Sequence, residues 1–275
     1  MSYLSAIFLG FIQGVAEFLP ISSSGHLAVF QSFFKISEEG HLFFDVLLHL
    51  GTLIAVFIAY WQDIVELVKE FFVMCHIVRL PDGQKHNSLA RRQIFMIIIA
   101  TLPLVLVLPI KDKVEALYYN TFFIGFAFLL TGTVLFFSDR IGRGRKSEKE
   151  MTAIDALIIG LGQAVAVVPG LSRSGTTIST GMVRGFDRTY AVKFSFLMSI
   201  PAILGSNILS FADAIKAGID VSLIPVYLVG IATATVFGYL SIRLLKLIAQ
   251  KGRFGGFSYY CWGAGIVTLI LSLIA

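Results

Sequence analysis

The sequence contains few charged residues and almost no cysteine. Charged side chains make up 14% of its 275 residues and hydrophobic ones 56%, whereas about 25% charged is usual in soluble domains. The two cysteines, Cys75 and Cys261, stand alone in or near apolar segments, which argues against a disulfide framework or a zinc site. No polar stretch is long enough to form a separate soluble domain. We therefore predict a single integral membrane domain over residues 1–275.

Long apolar segments recur along the whole chain. They are continuous rather than alternating, which favours membrane-spanning α-helices over a β-barrel. Two apolar segments are interrupted by proline and continue only as short helices of about ten residues, about half the length that a span requires. We predict an all-α polytopic membrane protein of about six transmembrane helices plus two re-entrant helix pairs. Full spans are expected at residues 41–61, 93–109, 118–138, 188–212, 222–247 and 254–275, with a short charged loop at 111–115.

The two halves of the sequence follow one plan. Superposing the second half on the first places Gln163 on Gln13 and Ser172 on Ser22. Each half would hold an odd number of full spans, so the halves are predicted to have opposite orientations, an inverted-topology repeat known from many transporters. The predicted division is repeat one, a charged cytoplasmic loop and repeat two, at residues 1–138, 139–151 and 152–275.

Basic residues are concentrated on one side of this plan. Most of the 22 Lys and Arg follow the segments that end near residues 61, 138, 184 and 247, which the positive-inside rule assigns to the cytoplasm. Both termini are therefore expected outside. The net charge of +5 is explained by this topology, so no nucleic-acid partner is predicted.

The stretch Gln13–His26 (QGVAEFLPISSSGH) holds an amide, a carboxylate, three hydroxyls and an imidazole. Polar groups are costly inside a membrane and usually face a cavity where they have a function. Gln13 and Glu17 are four residues apart and share a helix face. Pro20 then interrupts the helix, and the three serines that follow are typical N-caps of a second helix. We interpret this stretch as half of a catalytic site.

A matching break in the second half, Pro169–Thr177 (PGLSRSGTT), carries Arg173. Two such breaks facing each other would bring two helix N-termini together, which is a favourable arrangement for binding an anion. The guanidinium of Arg173 suits a phosphate. Glu17 would repel that phosphate unless a divalent cation lay between them, so Glu17 and Gln13 are predicted to hold Mg²⁺ or Ca²⁺. These residues together indicate phosphoryl chemistry on a lipid-borne substrate.

The same two stretches resemble the two motifs of the undecaprenyl-pyrophosphate phosphatases of the bacitracin-resistance type. The resemblance implies hydrolysis of undecaprenyl pyrophosphate to undecaprenyl phosphate and inorganic phosphate, which recycles the lipid carrier of cell-wall synthesis and confers bacitracin resistance. It also implies a divalent cation and a location in the bacterial inner (plasma) membrane. The family often has Glu where this chain has Gln13, so Glu17 is expected to be the main metal ligand.

Residue roles follow from the resemblance position by position. It makes Ser23, His26 and Glu17 catalytic, and it leaves open whether Ser23 or His26 is the nucleophile. The expected phosphate-binding residues are Arg173, Ser172, Ser174, Thr177 and Ser22. Ser22 and Ser174 have an alternative role as N-caps. Asp45 and His49, one helical turn apart, are expected to lie around the site or to be structural.

Three broader points accompany this interpretation. The alternative function is a transporter or flippase of a phosphorylated polyprenyl lipid without hydrolysis, which an inverted repeat would also suit. The expected partners are the lipid substrate and membrane lipids, with a possible homodimer through small-residue helix faces. With termini outside, the first tip enters from the outer side, so the site is expected to open to the periplasm.

Overall fold

The structure is a computed structural model that describes residues 1–34, 41–78, 86–141, 144–217, 221–252 and 254–274. Within these ranges the chain is helical, and the only β contact is an isolated bridge between Lys146 and Phe186. The α-helices are α1 (Tyr3–Phe18), α2 (Ser23–Phe33), α3 (His41–Ala59), α4 (Trp61–Met74), α5 (Ser88–Thr101), α6 (Lys111–Ala116), α7 (Thr121–Arg140), α8 (Ala153–Val165), α9 (Arg173–Val183), α10 (Arg188–Ala217), α11 (Ile224–Lys251) and α12 (Gly255–Ile274).

The predicted all-α polytopic membrane class is confirmed. In the described part of the chain, five helical segments are long and apolar enough to span a membrane. Helices α3 and α4 form a sixth candidate that is bent by 89°. The two predicted short pairs are present as α1 with α2 and α8 with α9, of 16, 11, 13 and 11 residues. Each of these helices is shorter than the roughly 20 residues that a span requires.

One detail of the predicted segment plan is wrong. The span expected at 93–109 lies within a helical segment, Ser88–Tyr119, that is long and apolar enough to cross a membrane. In this segment α5 ends at Thr101 and a 3₁₀ helix, Leu102–Ile110, continues it. Pro103 at the start of the 3₁₀ helix has no backbone N–H, which disfavours the hydrogen-bond pattern of an α-helix. The loop expected at 111–115 is helix α6, in which Lys111 and Glu115 form an i,i+4 ion pair of 3.4 Å. The sequence also predicts a short polar loop at residues 35–40 and a turn at Pro81-Asp82-Gly83, and both lie outside the described residues.

Charged side chains join several segments at one end of the molecule. Lys193 Nζ on α10 lies 2.6 Å from Asp63 at the start of α4 and 3.6 Å from Glu148 in the central loop. Lys246 Nζ near the end of α11 donates to the carbonyl of Ala59 (3.1 Å). The segment ends that were predicted to share the cytoplasmic side thus lie together.

Helix α1 packs very closely against α11 through glycine. A Cβ at Gly10 would lie 2.6 Å from the carbonyl oxygen of Gly230, and one at Gly14 would lie 2.7 Å from that of Ala234. Neither contact can be relieved by turning a side chain, because both atoms belong to the backbone of α11. The two glycines therefore set the distance between the helix that carries Gln13 and the long helix behind it.

We expect Gly14→Ala to destabilise the fold by about 1–3 kcal/mol, the usual cost of overpacking a well-packed interior. Thermal unfolding of the detergent-solubilised protein measures this. The matched control is Gly205→Ala on α10, where an added Cβ would meet none of the described atoms within 4 Å and alanine favours the helix. Equal unfolding temperatures for the two variants would contradict the close packing.

Candidate active site

The two helix breaks meet inside the protein. Ser22 Oγ in the first break donates to the carbonyl of Leu171 in the second (3.3 Å), and Ser174 Oγ in the second donates to the carbonyl of Leu19 in the first (3.3 Å). All four residues except Leu171 are buried. The reciprocal bonds hold the N-termini of α2 and α9 side by side, as the anion-site prediction requires.

Serine caps both helices at this meeting point. Ser22 Oγ accepts from the Gly25 N–H (3.3 Å), and Ser172 Oγ accepts from the Gly175 N–H (3.0 Å). Capping satisfies one of the N–H groups that each helix start leaves unpaired. The remaining first-turn N–H groups are the expected anion donors.

Backbone conformation is unusual at this point. Ser22 has φ +70° and ψ +96°, outside the regions that non-glycine residues favour. Gly170 has φ +86°, and a Cβ there would lie 2.6 Å from that of Ala127. Glycine is therefore needed in the second break, whereas in the first break a serine adopts a strained conformation directly before Ser23.

Glu17 is the centre of the polar cluster. Its Oε2 accepts from Ser23 Oγ (2.5 Å) and from Gln13 Nε2 (3.1 Å). Its Oε1 pairs with the guanidinium of Arg173, which comes from the other half of the chain. His49 Nε2 lies 3.7 Å from Oε2. The structure thus brings together four of the predicted site residues and adds His49 to them.

A cavity of about 70 Å³ opens beside this cluster. A cavity needs about 10–15 Å³ to hold one water molecule, so this cavity has room for water beside a reacting group. Its wall combines carboxylate, hydroxyl, imidazole and guanidinium groups. The lining residues are Ala16, Glu17, Ser22, Ser23, Ser24, His49, Leu171, Ser172 and Arg173.

The other predicted site residues lie next to this cavity rather than in its wall. Thr177 Oγ1 donates to the carbonyl of Arg173 (2.8 Å) and also contacts Ser195 Oγ (2.6 Å). Ser174 holds the first break, as described above. His26 directs both ring nitrogens elsewhere, to the carbonyl of Ser22 and to the phenol of Tyr260. Thr177, Ser174 and His26 therefore contribute to the site through the neighbouring groups that they hold in place.

Three contributions to the site come from residues that the motifs do not contain. His49, expected around the site, lies in the cavity wall, with Nδ1 donating to the carbonyl of Asp45 (2.8 Å). Thr131 on α7 accepts from the N–H of Ser172 (3.2 Å). Tyr260 lies on α12, 234 residues from His26. The four-residue spacing from Asp45 indicated His49, but no local pattern indicates Thr131 or Tyr260.

The donor set fits a hard divalent cation in one specific way. Gln13 Oε1 is buried and has no hydrogen-bond partner in the described part of the chain, so an oxygen ligand is available beside Glu17. Among all the residues that the structure describes, no group of three or more His, Cys, Asp or Glu is placed to hold a metal. Mg²⁺ typically takes one or two carboxylates and completes its shell with water and substrate phosphates. Glu17 and Gln13 suit that mode of binding.

Comparisons with known proteins extend this similarity beyond the two motifs. A family model described as bacitracin resistance protein BacA matches residues 6–267. The undecaprenyl-diphosphatase of Methanosphaera stadtmanae is 41% identical over 281 residues, covering 100% of this chain and 99% of the relative. That of Alkaliphilus metalliredigens is 39% identical over 275 residues, covering 100% of both chains. That of Carboxydothermus hydrogenoformans is 38% identical over 277 residues, covering 98% of each.

Proposed function

The chain belongs to the bacitracin resistance protein BacA family, and from this membership we propose that it is an undecaprenyl-diphosphatase. It hydrolyses the phosphoric anhydride of undecaprenyl pyrophosphate to give undecaprenyl phosphate and inorganic phosphate. The product is the lipid carrier of cell-wall synthesis, so the activity recycles that carrier. Removal of the pyrophosphate lipid accounts for bacitracin resistance.

The contact that carries the proposed mechanism is the one between Ser23 and Glu17. The hydroxyl lies 2.5 Å from a carboxylate oxygen, the arrangement of a nucleophile with its general base. Both nitrogens of His26 have other partners. We therefore assign the attack to Ser23 rather than to His26.

The reaction would begin when the terminal phosphate reaches Arg173. That phosphate competes with Glu17 for the guanidinium, because both offer two oxygens to its fork. Glu17 is then free to take the proton of Ser23 as Oγ attacks the terminal phosphorus. The bond from that phosphorus to the bridging oxygen breaks, and undecaprenyl phosphate leaves. Water then attacks the phosphorus of the phosphoserine, the bond from that phosphorus to Ser23 Oγ breaks, and Glu17 returns its proton to Oγ as inorganic phosphate departs.

First-turn N–H groups of α9, together with Arg173 and Ser172, would stabilise the charge that develops on the transferred phosphoryl group. A divalent cation, Mg²⁺ or Ca²⁺, would be held by Glu17 with Gln13. When bound, it supplies Lewis-acid neutralisation of phosphate charge. The unpartnered Oε1 of Gln13 supports this part of the proposal.

Purified protein in detergent is expected to release inorganic phosphate from undecaprenyl pyrophosphate in Mg²⁺ or Ca²⁺ and to lose that activity in chelator. Adding back the cation should restore the rate, which separates metal loss from unfolding. A well-folded wild-type protein that released no phosphate with any cation would contradict the phosphatase. Release at an unchanged rate in chelator would contradict only the metal.

The nucleophile can be trapped. The protein is incubated with substrate that carries ³²P in its terminal phosphate, and the reaction is quenched during turnover. We expect an acid-stable, alkali-labile label on the protein, because a phosphoserine has these properties. The label should be absent from Ser23→Ala. An acid-labile, alkali-stable label would instead indicate phosphohistidine and assign the attack to His26.

The remaining proposals concern arrangement. We propose that this multi-pass protein lies in the inner (plasma) membrane with both termini outside and the site open to the periplasm. The helix contacts support the inverted repeat, since α1 packs on α11 as α8 packs on α5, and α3 contacts α11 as α10 contacts α5. We also propose a homodimer. Gly160 and Gly265 pack within the chain, whereas a Cβ at Gly263 would meet no atom of the described residues within 4 Å, so that part of α12 is open to a partner.

A further inference from the structure

We propose that Tyr260 is a positioning residue for the phosphatase reaction. It acts through His26 on the backbone of Ser22 and thereby aims the hydroxyl of Ser23. This inference rests on the proposed function, in which Ser23 is the nucleophile. Each link in the chain from α12 to the nucleophile corresponds to a contact or a backbone conformation in the structure.

The first link joins Tyr260 to His26. The phenol oxygen lies 2.8 Å from Nε2, and the two rings are parallel within 14° at a centroid distance of 5.7 Å. His26 is buried, and the ring centroid of Phe128 lies 4.9 Å from that of its imidazole in an edge-on arrangement. The imidazole is thus held on several sides, and Tyr260 is the residue that contacts its Nε2.

The second link joins His26 to Ser22. His26 Nδ1 lies 2.7 Å from the carbonyl oxygen of Ser22. A carbonyl only accepts, so Nδ1 carries a proton. In the neutral ring Nε2 then has a lone pair, and the phenol of Tyr260 is the donor to it. The phenol therefore selects the tautomer that can bind the carbonyl of Ser22.

The third link is the backbone of Ser22 itself. Its φ of +70° places a non-glycine residue in a sparsely populated region, and such conformations persist only when their surroundings hold them. The Ser22 carbonyl receives both His26 Nδ1 and the His26 backbone N–H (3.3 Å). Ser23 is the next residue, so a change in the Ser22 dihedral angles would move Ser23 Oγ away from Glu17.

Helix α12 also supports the same break at the residue after Tyr260. Cys261 is fully buried, and its Sγ lies 3.6 Å from the carbonyl oxygen of Pro20. Adjacent residues of α12 thus contact the two sides of the first break. The contact of Cys261 holds this turn of α12 beside the first break, while the side chain of Tyr260 is half exposed.

A positioning role and a chemical role for His26 predict different behaviour of conservative variants. In His26→Asn the side-chain N–H₂ can occupy the place of Nδ1 and still donate to Ser22, but nothing remains to accept from Tyr260. If His26 transferred a proton or a phosphoryl group, asparagine would be as inactive as alanine.

The experiment measures kcat and KM for phosphate release by purified full-length protein in detergent. Tyr260→Phe, which removes only the hydroxyl, is expected to lower kcat by about 3–10-fold, the effect of one hydrogen bond. KM should stay unchanged, because Tyr260 is not among the residues that line the cavity. The matched control is Tyr259→Phe, the same change on the adjacent residue, which is exposed to a similar extent (62% against 50% for Tyr260) and is expected to have no effect.

Two backgrounds test the chain of contacts. In His26→Asn, which should retain more activity than His26→Ala, adding Tyr260→Phe is expected to change kcat by less than about twofold, because the acceptor is gone. In Ser22→Gly the strained conformation is freely accessible, so the effect of Tyr260→Phe should shrink as well.

A Tyr260→Phe variant as active as Tyr259→Phe would overturn the proposal, and so would an effect of the same size in both backgrounds. These outcomes leave the phosphatase intact, because wild-type turnover is measured in the same assay. Wild-type protein that failed to release phosphate would overturn the proposed function and this inference with it.

Discussion

Glu17→Gln is expected to lower kcat for phosphate release by about 10³-fold, within the range usual for loss of a general base. The amide keeps the shape of the side chain but cannot take the proton of Ser23. It also cannot balance the guanidinium of Arg173, and it is a weaker ligand for a divalent cation. The loss should therefore appear in kcat, and raising the cation concentration should not restore it.

The control for this change is Glu70→Gln, which neutralises another buried carboxylate that pairs with Arg91 away from the cavity. It should retain turnover. Thermal unfolding of both variants separates chemistry from stability. A Glu17→Gln protein with a folded profile and more than about a tenth of wild-type kcat would be incompatible with a general base.

Arg173→Ala is expected to lower kcat/KM by about 10³-fold or more, the lower end of the range for an arginine that stabilises phosphoryl transfer. The guanidinium both binds the terminal phosphate and releases Glu17 when it does so. Arg173→Lys should recover part of the activity, since it keeps the charge and loses the fork. The kinetic comparison of alanine, lysine and wild type measures these two contributions separately.

The double variant Glu17→Gln with Arg173→Ala tests whether the two residues act as one unit. Its loss is expected to be close to that of the more severe single variant, because residues that work together are strongly non-additive. Arg140→Ala, on an exposed arginine at the end of α7, serves as control for loss of a positive charge. Fully additive losses would show that Arg173 and Glu17 act independently.

Much of this site is predictable from the sequence because its parts are local. Gln13 and Glu17 share a helix face by their spacing, and Pro20 with the serines after it predicts a break and a new helix. The internal repeat then predicts that the break carrying Arg173 faces the one carrying Glu17, with a phosphate and a cation between the two residues. The direct ion pair of Arg173 with Glu17 is a finding of the structure. The correct inferences depend on contacts of a few residues or on the internal repeat.

The missed parts depend on tertiary packing. Tyr260 reaches His26 only because α12 lies against the first break. The sequence around either residue does not predict that the two are in contact. Helix α6 at Lys111–Ala116 is missed for a different reason, because a short charged segment between apolar ones predicts a loop. An i,i+4 ion pair stabilises a helix with the same residues.

The reciprocal bonds between the two breaks also have a consequence for biosynthesis. Ser22 and its acceptor Leu171 are 149 residues apart. At about 5–20 residues per second, the ribosome needs roughly 7–30 s to make the second break after the first. During that interval the nascent first half carries Glu17 and its serines without Arg173. We therefore expect the insertion machinery to keep the polar groups of the first half away from the lipid until the second half has been made.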